Sequence, residues 1–271
     1  MFENAKKIGF IGVGNMASAI IGGITSAGYP YENIYLYDII SPKTEEFGKK
    51  GANVLNSAAE VYKRSDCVLL AVKPQNYPDV LSELSVADKN PKLIISIAAG
   101  ITTKTVSDSL SCAPVVRALP NTPILIGQGV TAICRNSFVS DSDFEYAKSI
   151  FAAAGTVTVI DESEMNRIIC VTSSSPAYVF KFIKSILDGA EAQGLDKTDL
   201  LFSVCAMVSG SARLLESSGK SPEELIAMVC SKGGTTERAV AELDNFKFSE
   251  GIISAMQKCT DRADELSGIK K

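Results

Sequence analysis

Short apolar runs alternate with amphipathic stretches along roughly the first 160 residues of the chain. Several runs are continuous rather than alternating, which is typical of parallel strands that are covered on both faces. The stretches between them begin with helix-capping residues such as Ser57 and Ser140. This alternation predicts an α/β fold with a doubly wound parallel sheet. The predicted strands span residues 7–11, 34–37, 67–72, 93–97, 115–118, 130–134 and 156–160.

The pattern changes near residue 161, beyond which the chain has helical periods and almost no strand signal. Ala177, Phe180, Ile183 and Ala190 recur at the spacing of one apolar helix face. Similar segments span 197–217, 222–229 and 248–266. The long middle helices are apolar on more than one side, so they need partners within the domain or across a subunit interface. We therefore expect a first domain over 1–161 and an all-helical oligomerisation domain over 162–271.

The composition indicates a folded, mildly acidic protein, with 46% hydrophobic residues, 21% charged residues and a net charge of −4. Because there is no long basic run, we expect neither nucleic acid nor an anionic membrane as a partner. No stretch approaches 18 uninterrupted apolar residues and the N-terminus lacks the long apolar segment of a signal sequence. We therefore expect a cytoplasmic protein without a transmembrane helix. The seven cysteines lie at least 22 residues apart, which predicts reduced thiols and no metal site.

The chain contains no histidine. This absence excludes a histidine general base, a Ser–His or Cys–His nucleophile pair and any histidine-based metal site. Any chemistry must therefore use hydroxyls, lysines, carboxylates, backbone amides or a cofactor.

A Gly-x-Gly-x-x-Ala pattern occupies positions 12, 14 and 17, directly after the first predicted strand and at the start of an apolar helix. Gly12 permits a tight turn, Gly14 lets the backbone approach a pyrophosphate, and Ala17 is small enough for close helix packing. The helix N-terminus adds amide donors and a positive potential. In this strand–helix context the pattern predicts a site for NADH or NADPH.

Asp38 lies at the end of the second predicted strand, directly after Tyr37 and 24 residues after Gly14. An acidic residue at this place can hold the ribose diol of NADH and repel the 2′-phosphate of NADPH. Asp38 therefore favours NADH, whereas Ser41 and Lys43 follow closely and could bind a phosphate, so the choice of cofactor stays open.

The segment Ala71-Val72-Lys73-Pro74 closes the predicted strand over 67–72. Ligands of a doubly wound sheet lie at the carboxyl ends of its strands. Proline ends the strand there and shapes the loop that follows. The segment is therefore a second candidate contact for the cofactor.

Further segments raise the specificity of this interpretation. They are Ser96-Ile97-Ala98-Ala99-Gly100-Ile101, Arg117-Ala118-Leu119-Pro120-Asn121-Thr122-Pro123, Ser175-Pro176-Ala177-Tyr178 and Val229-Cys230-Ser231-Lys232-Gly233-Gly234-Thr235-Thr236-Glu237. Together with the segments at 12–16 and 71–74, they resemble the Δ1-pyrroline-5-carboxylate reductase family. The resemblance covers essentially the whole chain, and the motifs occur in the same order as in the family.

The resemblance implies a Rossmann domain, a helical domain whose long helices interleave between subunits, and reduction of Δ1-pyrroline-5-carboxylate to L-proline by NADH or NADPH. It also implies a homodimer, and the family's dimers often associate to pentamers of dimers. The implied cofactor contacts are Gly12, Gly14, Asn15, Met16, Ala17, Asp38, Ala71, Val72, Lys73, Pro74, Ala98, Ala99, Pro120 and Asn121. The implied substrate-binding residues are Ser231, Gly233, Gly234, Thr235 and Thr236, with the Thr236 hydroxyl as the catalytic group at the ring nitrogen.

The residues of this loop suit that chemistry independently. Gly-Gly-Thr-Thr before a helix predicted over 237–243 is an anion-binding helix N-terminus, which fits a carboxylate. A protonated cyclic imine is already electrophilic, so its reduction needs a hydride and one proton but no strong base. A hydroxyl such as that of Thr236, or water, can orient the nitrogen and relay the proton.

The chain departs from the family's usual residues at four places. Ser173 and Ser175 stand where glycine is usual, Lys232 where proline is common, and Leu119 where methionine is common. We expect the two serines to affect the catalytic rate or the shape of the substrate site, but not the fold.

Two other functions stay open at this point. A nucleotide sensor or scaffold could keep the fold without turnover, and the serine replacements are its only hint. A 3-hydroxyacid-type dehydrogenase of similar plan could use Lys181 or Lys184, although the Gly-Gly-Thr-Thr segment has no role in that scheme.

Overall fold

The structure is a computed structural model that describes residue 2, residues 5–40 and residues 42–268. Ser41, one of the candidate phosphate contacts, lies outside the described residues. The strands are β1 (Ile8–Ile11), β2 (Ile34–Tyr37), β3 (Asn53–Val54), β4 (Cys67–Leu70), β5 (Leu93–Ser96), β6 (Val115–Pro120), β7 (Gly129–Arg135) and β8 (Gly155–Val159). The helices are α1 (Asn15–Ser26), α2 (Pro42–Lys49), α3 (Ala58–Arg64), α4 (Tyr77–Ala87), α5 (Thr103–Ser109), α6 (Asp141–Ala152), α7 (Met165–Ile168), α8 (Ser175–Ala192), α9 (Lys197–Ser218), α10 (Pro222–Val229), α11 (Thr235–Asn245) and α12 (Phe248–Leu266).

The described strands form one sheet in the order β3-β2-β1-β4-β5-β6-β7-β8. Ile11 of β1 lies opposite both Tyr37 of β2 and Leu70 of β4, in parallel register. The strand order therefore reverses between β1 and β4, and the carboxyl ends of β1, β2 and β4 meet at one edge. Such a switch point is where doubly wound sheets bind ligands. The predicted α/β class and doubly wound sheet are confirmed.

Two features of the sheet differ from the sequence prediction. β7 runs antiparallel to β6, because the link between them holds only the short 3₁₀ turn Thr122–Ile126 and no crossover helix. A parallel connection needs a dozen or more residues. The apolar pattern also does not predict β3, which has two residues and is too short to display a period.

Helices cover both faces of the sheet, and each face has its own apolar core. Along β4 the side chains alternate, so Leu69 belongs to the core that contains Ile20 of α1, and Leu70 belongs to the core that contains Val106 of α5. Burial of each such side chain contributes roughly 1.5–3 kcal/mol. A strand that is buried on both faces therefore has a continuous run of apolar residues in its sequence.

The described chain divides into two compact units. One contains the residues up to Ser174 together with those from Cys259 onward, and the other is Ser175–Lys258. The C-terminal return places Ala263 in the same buried cluster as Leu119 and Met165. A functional division between residues 161 and 162 remains a prediction.

A polar network fixes the C-terminal return within the first unit. The buried Arg117 donates from Nη2 to Asn166 Oδ1 at 2.9 Å. Asn166 in turn donates from Nδ2 to Asp264 Oδ1 at 3.0 Å and to Ser267 Oγ at 2.9 Å. Burial lowers the pKa of Arg117, and Glu162 lies 4.0 Å from its guanidinium. Because an unpaired buried charge is costly, these partners tie the last residues to the sheet.

The second unit is helical, as predicted, and its helices leave large apolar side chains exposed. Phe180, Phe202 and Ile253 are examples. Contiguous exposed apolar surface marks protein or membrane contacts. By length and composition α9 could also cross a membrane, since it contains an 18-residue window with a mean hydropathy of 1.3, but a single helix of this kind is weak evidence for a membrane span. The absence of a membrane partner therefore remains a prediction.

All seven cysteines are free in the structure. Cys67, Cys134 and Cys170 are buried, whereas Cys112 and Cys205 are exposed. Burial raises the pKa of the Cys134 thiol to about 12. Such a thiol stays protonated near neutral pH and is unreactive, which is typical of a packing role.

Candidate functional site

The edge formed by the carboxyl ends of β1, β2 and β4 holds the first group of predicted site residues. Gly12 donates its N–H to the Tyr37 carbonyl at 2.9 Å, and Ala71 donates to the Ile11 carbonyl at 2.9 Å. These bonds join the three strand ends where the chain leaves the sheet. The glycine turn, Asp38 and the segment that begins at Ala71 are thereby brought together.

Gly12 sits in a position that only glycine fits well. Its φ angle is +89°, and a Cβ there would lie 2.8 Å from the Ala71 carbonyl carbon and 2.9 Å from the Val72 nitrogen. Both atoms are backbone, so they cannot rotate away. The residue lets two strand ends approach each other closely, which is the role expected of the first glycine in the pattern.

We expect Gly12→Ala to lower the free energy of unfolding by about 3 kcal/mol, because backbone strain and a backbone clash combine. Gly28→Ala is the matched control, since Gly28 has a φ angle of +93° and no atom within 4 Å of a Cβ. The control should lose only about 1 kcal/mol from strain. Urea unfolding of both variants measures the difference, and equal losses would show that the contact with Ala71 is unimportant.

Gly14 is the N-cap residue of α1 and opens onto free space. A Cβ at Gly14 would meet no atom within 4 Å among the described residues. No described side chain caps this helix, and its first turn carries no acidic residue. The N–H groups of Asn15, Met16 and Ala17 have no intrahelical acceptor at this end. The turn therefore offers amide donors and positive potential to a pyrophosphate, and the fully buried Ala17 lets α1 pack closely.

A cavity of about 320 Å³ lies at this edge. Its lining includes Gly12, Gly14, Asp38, Val72 and Lys73. These are residues that the sequence predicts as cofactor contacts. The structure thus collects them around one space of a size that suits part of a dinucleotide.

The Asp38 carboxylate is held in place by the backbone on both sides. Its Oδ2 accepts the Val13 N–H at 2.5 Å, and its Oδ1 accepts the Ile40 N–H at 2.8 Å. The first bond ties the end of β2 to the glycine turn. Asp38 therefore has a fixed position at the cavity.

The remaining predicted cofactor residues follow the neighbouring strands. Ala98 is buried and Ala99 half-buried after β5, and Pro120 ends β6. Pro74 begins the 3₁₀ turn Pro74–Asn76 after β4. These positions lie beyond the same ends of parallel strands as Gly12.

Asn121 has a structural task that the sequence does not predict. Its Oδ1 accepts the Val130 N–H at 2.8 Å, and its Nδ2 donates to the Thr172 carbonyl at 3.0 Å. Thr172 lies in the π-helical turn Ile169–Ser173, and such turns are frequent at functional sites. Asn121 thus positions this turn, and its contact with a cofactor remains a prediction.

The second group of predicted residues forms the turn between α10 and α11. Gly233 has a φ angle of +73°. Gly234 is the N-cap of α11 and donates its N–H to the Ser231 carbonyl at 2.9 Å. A Cβ on Gly234 would lie 2.4 Å from Ser231 Oγ. The two glycines therefore let the chain fold tightly onto the start of α11, where Thr235 and Thr236 are the first residues.

Glu237 also belongs to this loop, although its sequence pattern alone predicts no role for it. Its carboxylate accepts the Gly233 N–H at 2.6 Å. The signal for it is a glutamate three residues after the N-cap, which is the capping-box position. The Gly234 N–H therefore donates to the Ser231 carbonyl, and the Gly233 N–H donates to the Glu237 carboxylate. The N–H groups of Thr235 and Thr236, at the N-terminus of the helix, have no intrahelical acceptor.

The structure explains some, but not all, of the positions at which this chain differs from the family's usual residues. Ser173 Oγ is buried without a hydrogen-bond partner among the described residues. Leu119 is buried in an apolar cluster, where it replaces methionine at similar volume. Lys232 is exposed. Nothing in the structure explains the replacement of proline by Lys232.

The lysines of the dehydrogenase alternative lie on an exposed face of α8. Lys184 pairs with Asp188 of the same helix at 2.5 Å, and both side chains are largely exposed. Lys181 is exposed as well. This arrangement is typical of a solvated helix face.

Two family models match separate regions of this chain. A family model described as pyrroline-5-carboxylate reductase dimerisation matches residues 162–266. A second, described as NADP oxidoreductase coenzyme F420-dependent, matches residues 7–100. The two matches cover the helical region and the glycine turn, respectively.

Full-length relatives carry the same name. The pyrroline-5-carboxylate reductase of Escherichia coli (strain K12) is 37% identical over 97% of this chain and 98% of its own. The solved pyrroline carboxylate reductase of Plasmodium falciparum, with NADP bound, has a TM-score of 0.90 at 28% identity and covers 97% of this chain and 98% of its own. The enzyme from Coxiella burnetii has a TM-score of 0.88 at 33% identity, with 97% and 99% covered. The resemblance is confirmed, and this chain belongs to the pyrroline-5-carboxylate reductase family.

Proposed function

We propose that this chain reduces Δ1-pyrroline-5-carboxylate to L-proline, the last step of proline biosynthesis, with NADH or NADPH as the hydride donor. The observation that carries the proposal is the turn Ser231–Thr236, which places two amides at the head of α11 in a chain of this family. That turn suits a substrate with a carboxylate and has no role in the 3-hydroxyacid-type dehydrogenase alternative.

The residues at the sheet edge fit a nicotinamide dinucleotide, which supplies the hydride when it is bound. The amides at the start of α1 would hold the pyrophosphate beside Gly14. Asp38 would face the adenosine ribose. The strand-end segments at Ala71–Pro74, Ala98–Ala99 and Pro120–Asn121 would surround the rest of the cofactor.

The substrate would bind through its carboxylate. The N–H groups of Thr235 and Thr236 would donate to it, aided by the positive end of the α11 dipole. The Thr236 hydroxyl would hydrogen-bond the ring nitrogen and help to place its proton. Positioning of this kind supplies most of the acceleration when the imine is already electrophilic, so the chain needs no histidine.

The alternatives are less well supported. In a 3-hydroxyacid-type dehydrogenase a lysine would act on the substrate, but Lys184 is paired with Asp188 on an exposed helix face. A sensor without turnover has only the serine replacements at 173 and 175 in its favour, and both lie outside the loop at Ser231–Thr236. The loop keeps its glycines, its helix cap and both threonines.

The working protein would be a homodimer formed through the helical region, and five dimers would associate to a decamer. The exposed apolar side chains of that region and the dimerisation model that matches it support self-association. The enzyme would work in the cytoplasm, and its net charge of −4 supports a small-molecule substrate rather than nucleic acid. Light scattering of the purified protein separates a dimer from a decamer.

The direct test is oxidation of NADH or NADPH by the purified full chain in the presence of Δ1-pyrroline-5-carboxylate. We expect rapid, saturable oxidation with L-proline as the product. Folded protein that binds a cofactor but oxidises neither would contradict the reductase and favour the sensor.

A further inference from the structure

The negative charge of Asp38 is fixed where the adenosine ribose of a dinucleotide would lie. Its two backbone bonds, to the N–H groups of Val13 and Ile40, use only part of the acceptor capacity of a carboxylate. The remaining lone pairs can accept the two ribose hydroxyls of NADH. Because the Ile40 N–H already donates to Asp38, it is not available to a phosphate.

The other described residues of the cavity lining offer little to a 2′-phosphate. Ile39 and Ile40 follow Asp38 and are 79% and 69% exposed, so the surface here is apolar and suits an adenine ring. Among the described lining residues only Lys73 is cationic. Lys43 does not line this cavity, and its Nζ donates to Asn15 Oδ1 at 2.5 Å. A phosphate with about two negative charges would therefore lie beside the Asp38 carboxylate with Lys73 as the one cation of the described lining.

From this arrangement we infer that Asp38 makes the chain prefer NADH to NADPH. The inference rests on the proposed function, since it concerns the cofactor of the same reductase. Repulsion between the carboxylate and the 2′-phosphate disfavours NADPH, and the two ribose hydrogen bonds favour NADH. The preference is thus a property of one side chain at the end of β2.

The test measures cofactor binding to the full chain without the imine, by the fluorescence of NADH and NADPH. We expect NADH to bind at least about tenfold more tightly than NADPH. Asp38→Ser and Asp38→Asn should each weaken NADH binding and strengthen NADPH binding, so that the preference disappears or reverses. Equal affinities in the unmodified protein, or an unchanged preference in folded Asp38 variants, would overturn the inference.

Two further variants separate this explanation from others. Glu45→Gln removes the same charge from an exposed position of α2 outside the cavity, and it should leave the ratio of affinities unchanged. Lys43→Ala tests the rival phosphate contact, and a selective loss of NADPH binding would overturn the inference. NADH binding without imine reduction would contradict the proposed function alone. Failure of both cofactors to bind would contradict the function and the preference together.

Discussion

Gly14→Ala is expected to weaken the binding of NADH and NADPH on the order of a hundredfold. The structure leaves open space where the new methyl group would point, and the same space adjoins the free amides of α1. A methyl group there would hold a pyrophosphate away from these donors. Loss of two charge-assisted hydrogen bonds, at about 1.5 kcal/mol or more each, accounts for that fall in affinity.

The folded state should tolerate this change. Since a Cβ on Gly14 meets no described atom within 4 Å, the free energy of unfolding should fall by no more than about 1 kcal/mol, the cost of alanine at an N-cap. Gly22→Ala in the same helix is the matched control, because its Cβ also meets nothing within 4 Å. Fluorescence titration and urea unfolding measure both quantities. Unchanged cofactor affinity in Gly14→Ala would show that the pyrophosphate does not bind beside Gly14.

Thr236→Ala should lower turnover about a hundredfold and leave cofactor affinity unchanged. The variant removes the only group of the loop that we place at the ring nitrogen, and positioned proton transfer contributes on the order of 10²–10⁴ in rate. It leaves the backbone amides for the carboxylate in place. The loss should therefore appear in kcat more than in KM.

Two variants control for a merely structural effect. Thr236→Ser keeps the hydroxyl and should restore most of the turnover. Thr198→Ala changes the second residue of α9, the position that Thr236 occupies in α11, and should leave turnover unchanged. Steady-state kinetics and cofactor titration measure all three variants. Unaltered turnover in Thr236→Ala would remove this hydroxyl from the mechanism.

Local patterns in the sequence predicted most of the secondary structure. The segments 34–37, 222–229 and 248–266 match β2, α10 and α12 in full. The caps at Ser57 and Ser140 accept the N–H groups of Glu60 and Asp143 as such residues should. These features depend on neighbouring residues, and the sequence shows neighbours directly.

Features that depend on distant partners could not be predicted in this way. An apolar run does not show the direction of its strand within the sheet. The sequence therefore predicts a parallel sheet, although β7 runs antiparallel to β6. Nothing near Asn121 shows that its amide will meet Val130 and Thr172. Likewise, no pattern links Asp264 to Asn166, 98 residues earlier.

The candidate site was predictable to a similar extent. The glycine turn, Asp38 and the segment at Ala71 carry local signals, and the structure collects them around one cavity. The role of Glu237 in the loop was missed, because the N-cap there is a glycine rather than the serine or threonine that usually marks a capping box. Which residues touch each ligand remains a prediction.

The course of α12 has a consequence for how this protein is made. The helix begins in one compact unit and ends in the other, so the first unit gains Ala263 and Asp264 only from the last part of the chain. On the ribosome, the buried cluster around Leu119 and Met165 and the Arg117 network therefore stay incomplete until residues 263–267 have been synthesised. A gene fragment that stops at Ser174 would lack these residues, so a transferred fragment of this kind would have its two sheet cores but not this cluster and network.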